Sequence, residues 1–223
     1  MRSNGRRWAS TGGGRVLIVA PHPDDEIAGA GGTLLLHLRA GDQVMVVHVT
    51  DGRGSRAQGL GPDAMAGHRR TEAEAALAGL GVSRWDWLGL REWEWEDAAA
   101  IEALGRALAI QVPDVVYAPS RVDFHPEHHR VARALAAALA AAPRIDPVVR
   151  IYQVHVPLTR VLVNLVAPIG AVLGETRRAA QAYATQQGSL RSCFRLKRYA
   201  AWSRAIPGAA EEFWELASGA YIA

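Results

Sequence analysis

The sequence predicts an α/β fold with a mainly parallel sheet, and three observations predict it. Short apolar runs rich in β-branched residues recur along the chain, among them Val16 to Ala20, Gln43 to Thr50 and Val112 to Ala118. Strands buried on both faces look like this. Ala- and Leu-rich segments of helical length separate those runs, and that alternation layers helices on a parallel sheet. Glycines and prolines such as Gly41, Gly81 and Pro143 mark the joins. No Pro/Ser-rich or charged linker divides the 223 residues. We therefore expect a flexible, Gly-rich lead-in over 1–14 and a single domain over 15–223.

In chain order, Val16 to Ala20 is the expected first strand, and Ala28 to Ala40 a helix closed by Gly41. Gln43 to Thr50 is the second strand, which makes a right-handed βαβ unit. Asp51 to Gly61 holds four glycines and no periodicity, so it reads as a loop. A helix follows from Asp63 to Leu80, a third strand from Trp85 to Leu90, and a helix from Asp97 to Ile110. The fourth strand is Val112 to Ala118, Pro119 to Glu127 a loop, and His128 to Ala142 a helix. Val148 to Val156 reads as a fifth strand, with helices expected near Glu175 to Gln187 and around Glu211 to Ala217.

About half of the residues are hydrophobic, enough for a sizeable core. The 25 basic and 22 acidic side chains leave a net charge of only +3. Arg2, Arg6, Arg7 and Arg15 crowd the start, so the excess is partly a basic tail, and no nucleic-acid partner is expected. A single cysteine, Cys193, excludes an internal disulfide and any CxxC site. Any metal must then be held by His and carboxylates. The first residues lack the apolar core of a secretory leader, and Val161 to Leu173, broken by Asn164, Pro168 and Gly170, is too short to span a bilayer. These features point to a cytoplasmic chain without a membrane segment, and they leave self-association into a homo-oligomer open.

Pro21-His22-Pro23-Asp24-Asp25-Glu26 follows the first strand directly. Four polar side chains are thus delivered to the carboxyl end of a strand, where open α/β sheets keep their ligand crevices. His125-Pro126-Glu127-His128-His129 follows the fourth strand in the same way. A loop histidine alone is ordinarily a surface residue, and acids before a helix are ordinarily caps. Together, two ligands from one strand end and one from another satisfy the three-ligand rule of an open catalytic zinc site.

The two clusters resemble the PHPDDE and HPDH motifs of the LmbE/PIG-L family of zinc-dependent N-acetylglucosaminyl deacetylases. Thr50-Asp51-Gly52, Arg69-Arg70-Thr71-Glu72 with Leu80-Gly81, and Tyr183-Ala184-Thr185-Gln186 are similar to further family stretches. The resemblance implies a Rossmann-like three-layer domain that hydrolyses an N-acetyl or other N-acyl group on an amino sugar or glycoconjugate. His22, Asp25 and His128 would bind Zn2+, with Fe2+ also accommodated by such a set. Zinc would bring the pKa of a bound water from about 16 towards roughly 7. Asp24 would be the general base and His125 the group that stabilises the oxyanion or donates a proton. Arg69 and Asp51 would contact substrate, and Asp123 and Glu127 would support the ligands from behind. Glu127 stands where the family usually has aspartate. His129, beside the matching His128, reads as a helix residue.

Trp85, Trp87, Trp93 and Trp95 suit core packing or a sugar-stacking platform. His37 and His48 read as structural, while His155 is either a pocket residue or a buried imidazole. Arg195, Lys197, Arg198 and Arg204 read as a solvated basic face, or as a contact for an anionic substrate group. Two other readings stand beside the hydrolase. One is a nucleotide-binding protein using Gly29, Gly31 and Gly32, although G-x-G-x-x-G is absent. The other is a catalytically idle glycan-binding member of the same fold.

Overall fold

A computed structural model describes residues 6–10 and 12–223. Its strands are β1 (Arg6–Arg7), β2 (Arg15–Ala20), β3 (Gln43–Thr50), β4 (Arg84–Leu90), β5 (Val115–Ala118), β6 (Val148–Ile151), β7 (Leu165–Pro168) and β8 (Ala210–Ala217). Its α-helices are α1 (Asp25–Arg39), α2 (Pro62–Leu80), α3 (Asp97–Gln111), α4 (Pro126–Ala140), α5 (Leu173–Ala180), α6 (Gln187–Ser203) and α7 (Ser218–Ile222). Among the described residues the strands form one sheet in the order β1-β7-β8-β6-β5-β2-β3-β4. Only β8 runs antiparallel to its neighbours, β6 and β7.

Strand β2 is the axis of the sheet. It pairs in parallel with β3 on one side and β5 on the other. Val16 and Ile18 face a core shared with α1, α2, α5 and α6, whereas Leu17 and Val19 face the core of α3 and α4. Each of these fully buried side chains contributes about 1.5 to 3 kcal/mol of transfer free energy. The three layers are therefore helix, sheet, helix. The chain leaves β2 towards β3 but returns to β2's other side through β5, so the crevice of the fold opens at the carboxyl ends of β2 and β5.

Helix α1 lies flush on the sheet because its packing face is small. A Cβ on Gly29 would come 2.3 Å from the Tyr152 ring. That ring is fully buried, and its hydroxyl donates to Val19 O at 2.8 Å. The glycines expected to serve a nucleotide thus pack inside a helix. The helix is kinked at Ala30 (φ −140°, ψ 15°), and there the amides of Gly32 and Thr33 donate to Glu211 at 2.9 and 2.8 Å.

That contact explains the largest correction to the expected elements. Glu211 to Ala217 is not a helix but most of β8. Its Glu, Leu and Ala content favours a helix, yet Phe213 faces one core while Trp214 and Leu216 face the other, a period of two. The slot between β6 and β7 supplies pairing on both edges, and tertiary pairing overrides propensity. Lys197, expected on a solvated face, is buried and pairs with Glu211, because a buried carboxylate needs a partner.

Other boundaries differ less. The fifth expected strand is confined to Val148–Ile151, and a strand, β7, lies within the Val161 to Leu173 stretch. The late helix is α5, followed by a single 3-10 turn over Ala184–Gln186 and the longer α6. Of the expected lead-in, residues 1–5 and 11 lie outside the described residues. Arg6–Arg7 pairs with β7, and Trp8 donates from Nε1 to the Tyr117 hydroxyl at 3.2 Å.

Two outcomes follow. Gly→Ala in a helix ordinarily stabilises by up to about 1 kcal/mol, but at Gly29 the added methyl meets a pinned ring. Gly29→Ala is therefore expected to destabilise by about 1 to 3 kcal/mol and to lower Tm by roughly 2 to 12 °C in a melting experiment. Cys193 on α6 is buried, and burial pushes its thiol up to about 12. A thiol reagent at pH 8 should leave the native chain unmodified and label it fully once it is unfolded.

Candidate active site

The site is built where five parallel strands end. After β2 the chain turns through Pro21 to Pro23, and Thr50 at the end of β3 holds that turn by donating Oγ1 and N to Pro21 O at 2.8 and 2.9 Å. Asp24 follows with φ 115° and ψ −22°. A non-glycine residue held there costs on the order of 1 to 3 kcal/mol. Three contacts oppose that cost: Arg69 donates to Pro23 O and, at 2.9 Å, to Asp24 Oδ1, while Asp24 N donates to Glu26 Oε2 at 3.1 Å. Glu26 is fully buried and also receives His48 Nε2 at 2.9 Å and the Tyr183 hydroxyl at 2.7 Å.

His22, Asp25 and His128 converge. Asp25 Oδ2 lies 3.2 Å from His22 Nδ1 and 3.2 Å from His128 Nε2. Pro126 opens α4, its fixed φ suiting a first helical position, and His128 comes one turn in. Asp123 Oδ2 lies 3.3 Å from His128 Nδ1. Its Oδ1 accepts the His125 amide at 3.1 Å. His22, His125 and His128 each present a ring nitrogen within 4.8 Å of the others.

The electrostatics follow from this crowding. Burial opposes charge on His22, but hydrogen bonds to Asp25 and Glu92 outweigh it and lift its pKa to about 9. Burial likewise opposes charge on His128, and the carboxylates of Asp25 and Asp123 raise it to about 10. Asp25 is held well below the carboxylate range against its burial, chiefly by His128. Asp24 goes the other way, pushed up to about 6 by burial even with Arg69 beside it. His125 is pushed down to about 4 by burial and by His22 and His128.

The donor set fits a divalent cation. Two imidazoles and a carboxylate suit zinc or another borderline cation. Both ring nitrogens of fully buried His128 lie near carboxylates yet make no aligned hydrogen bond. A cation among these donors would displace the protons that the two imidazoles otherwise hold.

Around them lies a cleft of about 210 Å³ lined by His22, Asp24, Asp25, Arg69, Glu92, Trp93, His125, His155 and Gln186. Trp93, about half exposed, stacks on His125 (centroids 5.4 Å, 26°), and His125 stacks on His155 (5.9 Å, 18°). Trp85 and Trp87 pack at the core edge and Trp95 is buried, so one tryptophan of the four reaches the cleft.

Two expected site residues are elsewhere. Asp51 is not among the cleft-lining residues; its Oδ2 accepts Arg53 Nε at 2.7 Å and its Oδ1 accepts the Glu92 amide at 3.2 Å, so it folds its loop. Glu127 is fully buried but turns to the Trp95 indole and, at 3.3 Å, to Arg130 Nη1, away from the predicted ligands. The extra methylene relative to aspartate serves that contact. His129 turns to Asp123 O. Glu92, Trp93 and Gln186 came from no functional motif of the sequence reading except the stretch containing Gln186; a carboxylate and an aromatic just past a strand's carboxyl end were the available signal.

Residues 17–139 match the PIG-L family, described as GlcNAc-PI de-N-acetylase. A 1D-myo-inositol 2-acetamido-2-deoxy-alpha-D-glucopyranoside deacetylase from Kineococcus radiotolerans is 32% identical over 163 residues, which are 57% of this chain and 45% of that protein. The chain spans about half the length of the curated relatives it matches. The N,N'-diacetylchitobiose deacetylase of Pyrococcus horikoshii superimposes with a TM-score of 0.76 at 21% identity, over 98% of this chain and 86% of its own. GalB, the 4-carboxy-2-hydroxymuconate hydratase of Pseudomonas putida, gives 0.74 at 22% identity, over 91% and 96%. The fold therefore hosts more than one chemistry, and no described helix is long and apolar enough to cross a membrane. With both the motif-bearing half of the sequence and the three-layer fold in agreement, the chain belongs to the PIG-L family.

Proposed function

We propose that the chain is a metal-dependent hydrolase that removes an N-acetyl or other N-acyl group from an N-acetylglucosamine-type sugar or glycoconjugate. The observation that carries this reading is the single carboxylate oxygen, Asp25 Oδ2, lying 3.2 Å from both His22 and His128, beside a buried Asp24 whose ion pair is with Arg69. His22, Asp25 and His128 would hold the cation, zinc by donor type and Fe2+ compatible with the same set. Bound there, it would supply Lewis acidity and an acidified water.

The chain's own residues do the rest. Asp24, with a pKa of about 6, is ionised at neutral pH and close enough to neutrality to accept and return a proton efficiently. Arg69 fixes the carboxylate through Oδ1 and leaves Oδ2 for that proton. His125, neutral at pH 7, offers an N–H to the oxygen of the amide carbonyl as negative charge develops on it. Water adds to the carbonyl carbon and gives one proton to Asp24; the C–N bond breaks, that proton passes to the departing nitrogen, and the carboxylic acid and the amine leave. The cleft is small against the roughly 300 to 1,000 Å³ of drug-sized pockets, which suits one sugar ring and a short acyl group. Trp93 offers an aromatic face at its mouth.

Asp24→Asn should keep the bound metal and lose about 10²- to 10⁴-fold in turnover, measured as amine released from N-acetylglucosamine derivatives. His22→Ala and His128→Ala should lose the metal itself by elemental analysis. Equal metal loss in all three would remove the separate role of Asp24. Trp93→Ala is expected to raise KM about tenfold with a smaller change in kcat; an unchanged KM would remove Trp93 from the sugar site.

A further inference from the structure

Glu92 lies two residues past the end of β4, outside every family motif read in the sequence, and it is buried. Its Oε1 is 3.1 Å from His22 Nε2, and its Oε2 accepts the Gly54 amide at 2.7 Å. A Cβ at Gly54 would stand 2.8 Å from that oxygen, so a larger residue there would have to displace the carboxylate. The Glu92 amide donates to Asp51 Oδ1 at 3.2 Å, and Asp51 is itself gripped by Arg53. The Asp51 to Gly54 turn thus holds Glu92 at two points, its backbone amide and its carboxylate.

The other nitrogen of the same ring, His22 Nδ1, faces Asp25 Oδ2 at 3.2 Å. His128 repeats the pattern with its nitrogens exchanged: Nε2 faces Asp25 Oδ2 at 3.2 Å and Nδ1 faces Asp123 Oδ2 at 3.3 Å. Each imidazole therefore has one nitrogen at the shared Asp25 oxygen and the other at a second carboxylate, Glu92 for His22 and Asp123 for His128. A metal-binding imidazole characteristically donates its second N–H to such a carboxylate, which fixes the tautomer and raises the basicity of the ligating nitrogen. The two nitrogens of an imidazole point in divergent directions, so a carboxylate on Nε2 cannot share a cation held on Nδ1.

We propose that Glu92 is a positioning residue for the cation: it keeps the proton on His22 Nε2 and aims the Nδ1 lone pair at the point shared with Asp25 and His128. The proposal rests on the reading that those three residues hold a divalent cation. It gives His22 the partner that Asp123 gives His128.

The test measures zinc affinity by competition with a chelating dye, and the visible spectrum of the cobalt-substituted protein, for the native chain, Glu92→Gln and Glu92→Asp. Glu92→Gln keeps the size of the side chain and removes its charge; zinc Kd should rise about 10- to 100-fold, and the cobalt bands should shift without losing a donor. Glu92→Asp should fall between the two. Melting curves of the chelated proteins identify any variant that has lost its fold, in which case the other variant decides. Native zinc affinity and native cobalt bands in the folded variants would overturn the proposal. So would a spectrum with one donor fewer, as His22→Ala should give, because Glu92 would then be a ligand. A native chain that takes up neither metal would overturn the cation reading itself, an outcome distinct from a native chain that binds zinc no better than Glu92→Gln.

Discussion

A fully buried carboxylate must find donors or be lost from the interior, and Glu26 meets that demand by drawing three separate parts of the chain together. It receives His48 from β3, the Tyr183 hydroxyl from the turn after α5, and the Asp24 amide from the turn before α1. Leaving such a group unpaired costs several kcal/mol. The geometry that satisfies it also holds Asp24 at a positive φ and seats the start of α1 against the sheet. The edge of the sheet that carries the cleft is therefore held from beneath. Glu72 repeats the device one turn along α2 from Arg69, accepting the amide and hydroxyl of Thr185 at 2.8 and 2.7 Å.

Above this support the balance of charge changes. Five ionisable groups, His22, Asp24, Asp25, His125 and His128, share one small cleft or its floor. Their shifts sort them: Asp25 is driven to stay anionic, His22 and His128 to take up protons, and Asp24 and His125 towards values of about 6 and 4. In the proposed reading, the residues whose protons a cation would displace are distinct from those that would exchange protons with a substrate. Groups of titratable residues with environments that push their pKa values apart are how acid and base duties are divided in one site.

The fold alone does not decide the reaction, since a deacetylase and a hydratase superimpose on this chain about equally well. What separates the readings is the local set of side chains. Among its tryptophans, Trp93 is the one that this chain places at the cleft.

The strands that carry the site were legible because buried parallel strands are short, continuous and β-branched, and because each ends in a polar cluster that has no use in a core. That is why His22, Asp25, Asp123, His125 and His128 could be named from the sequence and are brought together in the structure. Position along the chain could not say where a side chain's free end goes. Glu127 sits between two predicted site histidines yet turns to Trp95, whereas Glu92, thirty-six residues before His128 in the sequence, reaches His22. The same limit hid β8: its composition favours a helix, and only the open slot between β6 and β7, with Lys197 and α1 waiting for Glu211, makes it a strand. Local chemistry and periodicity thus determined the layers and the ligand types, while long-range pairing, which a sequence does not display, decided the partners of each buried charge.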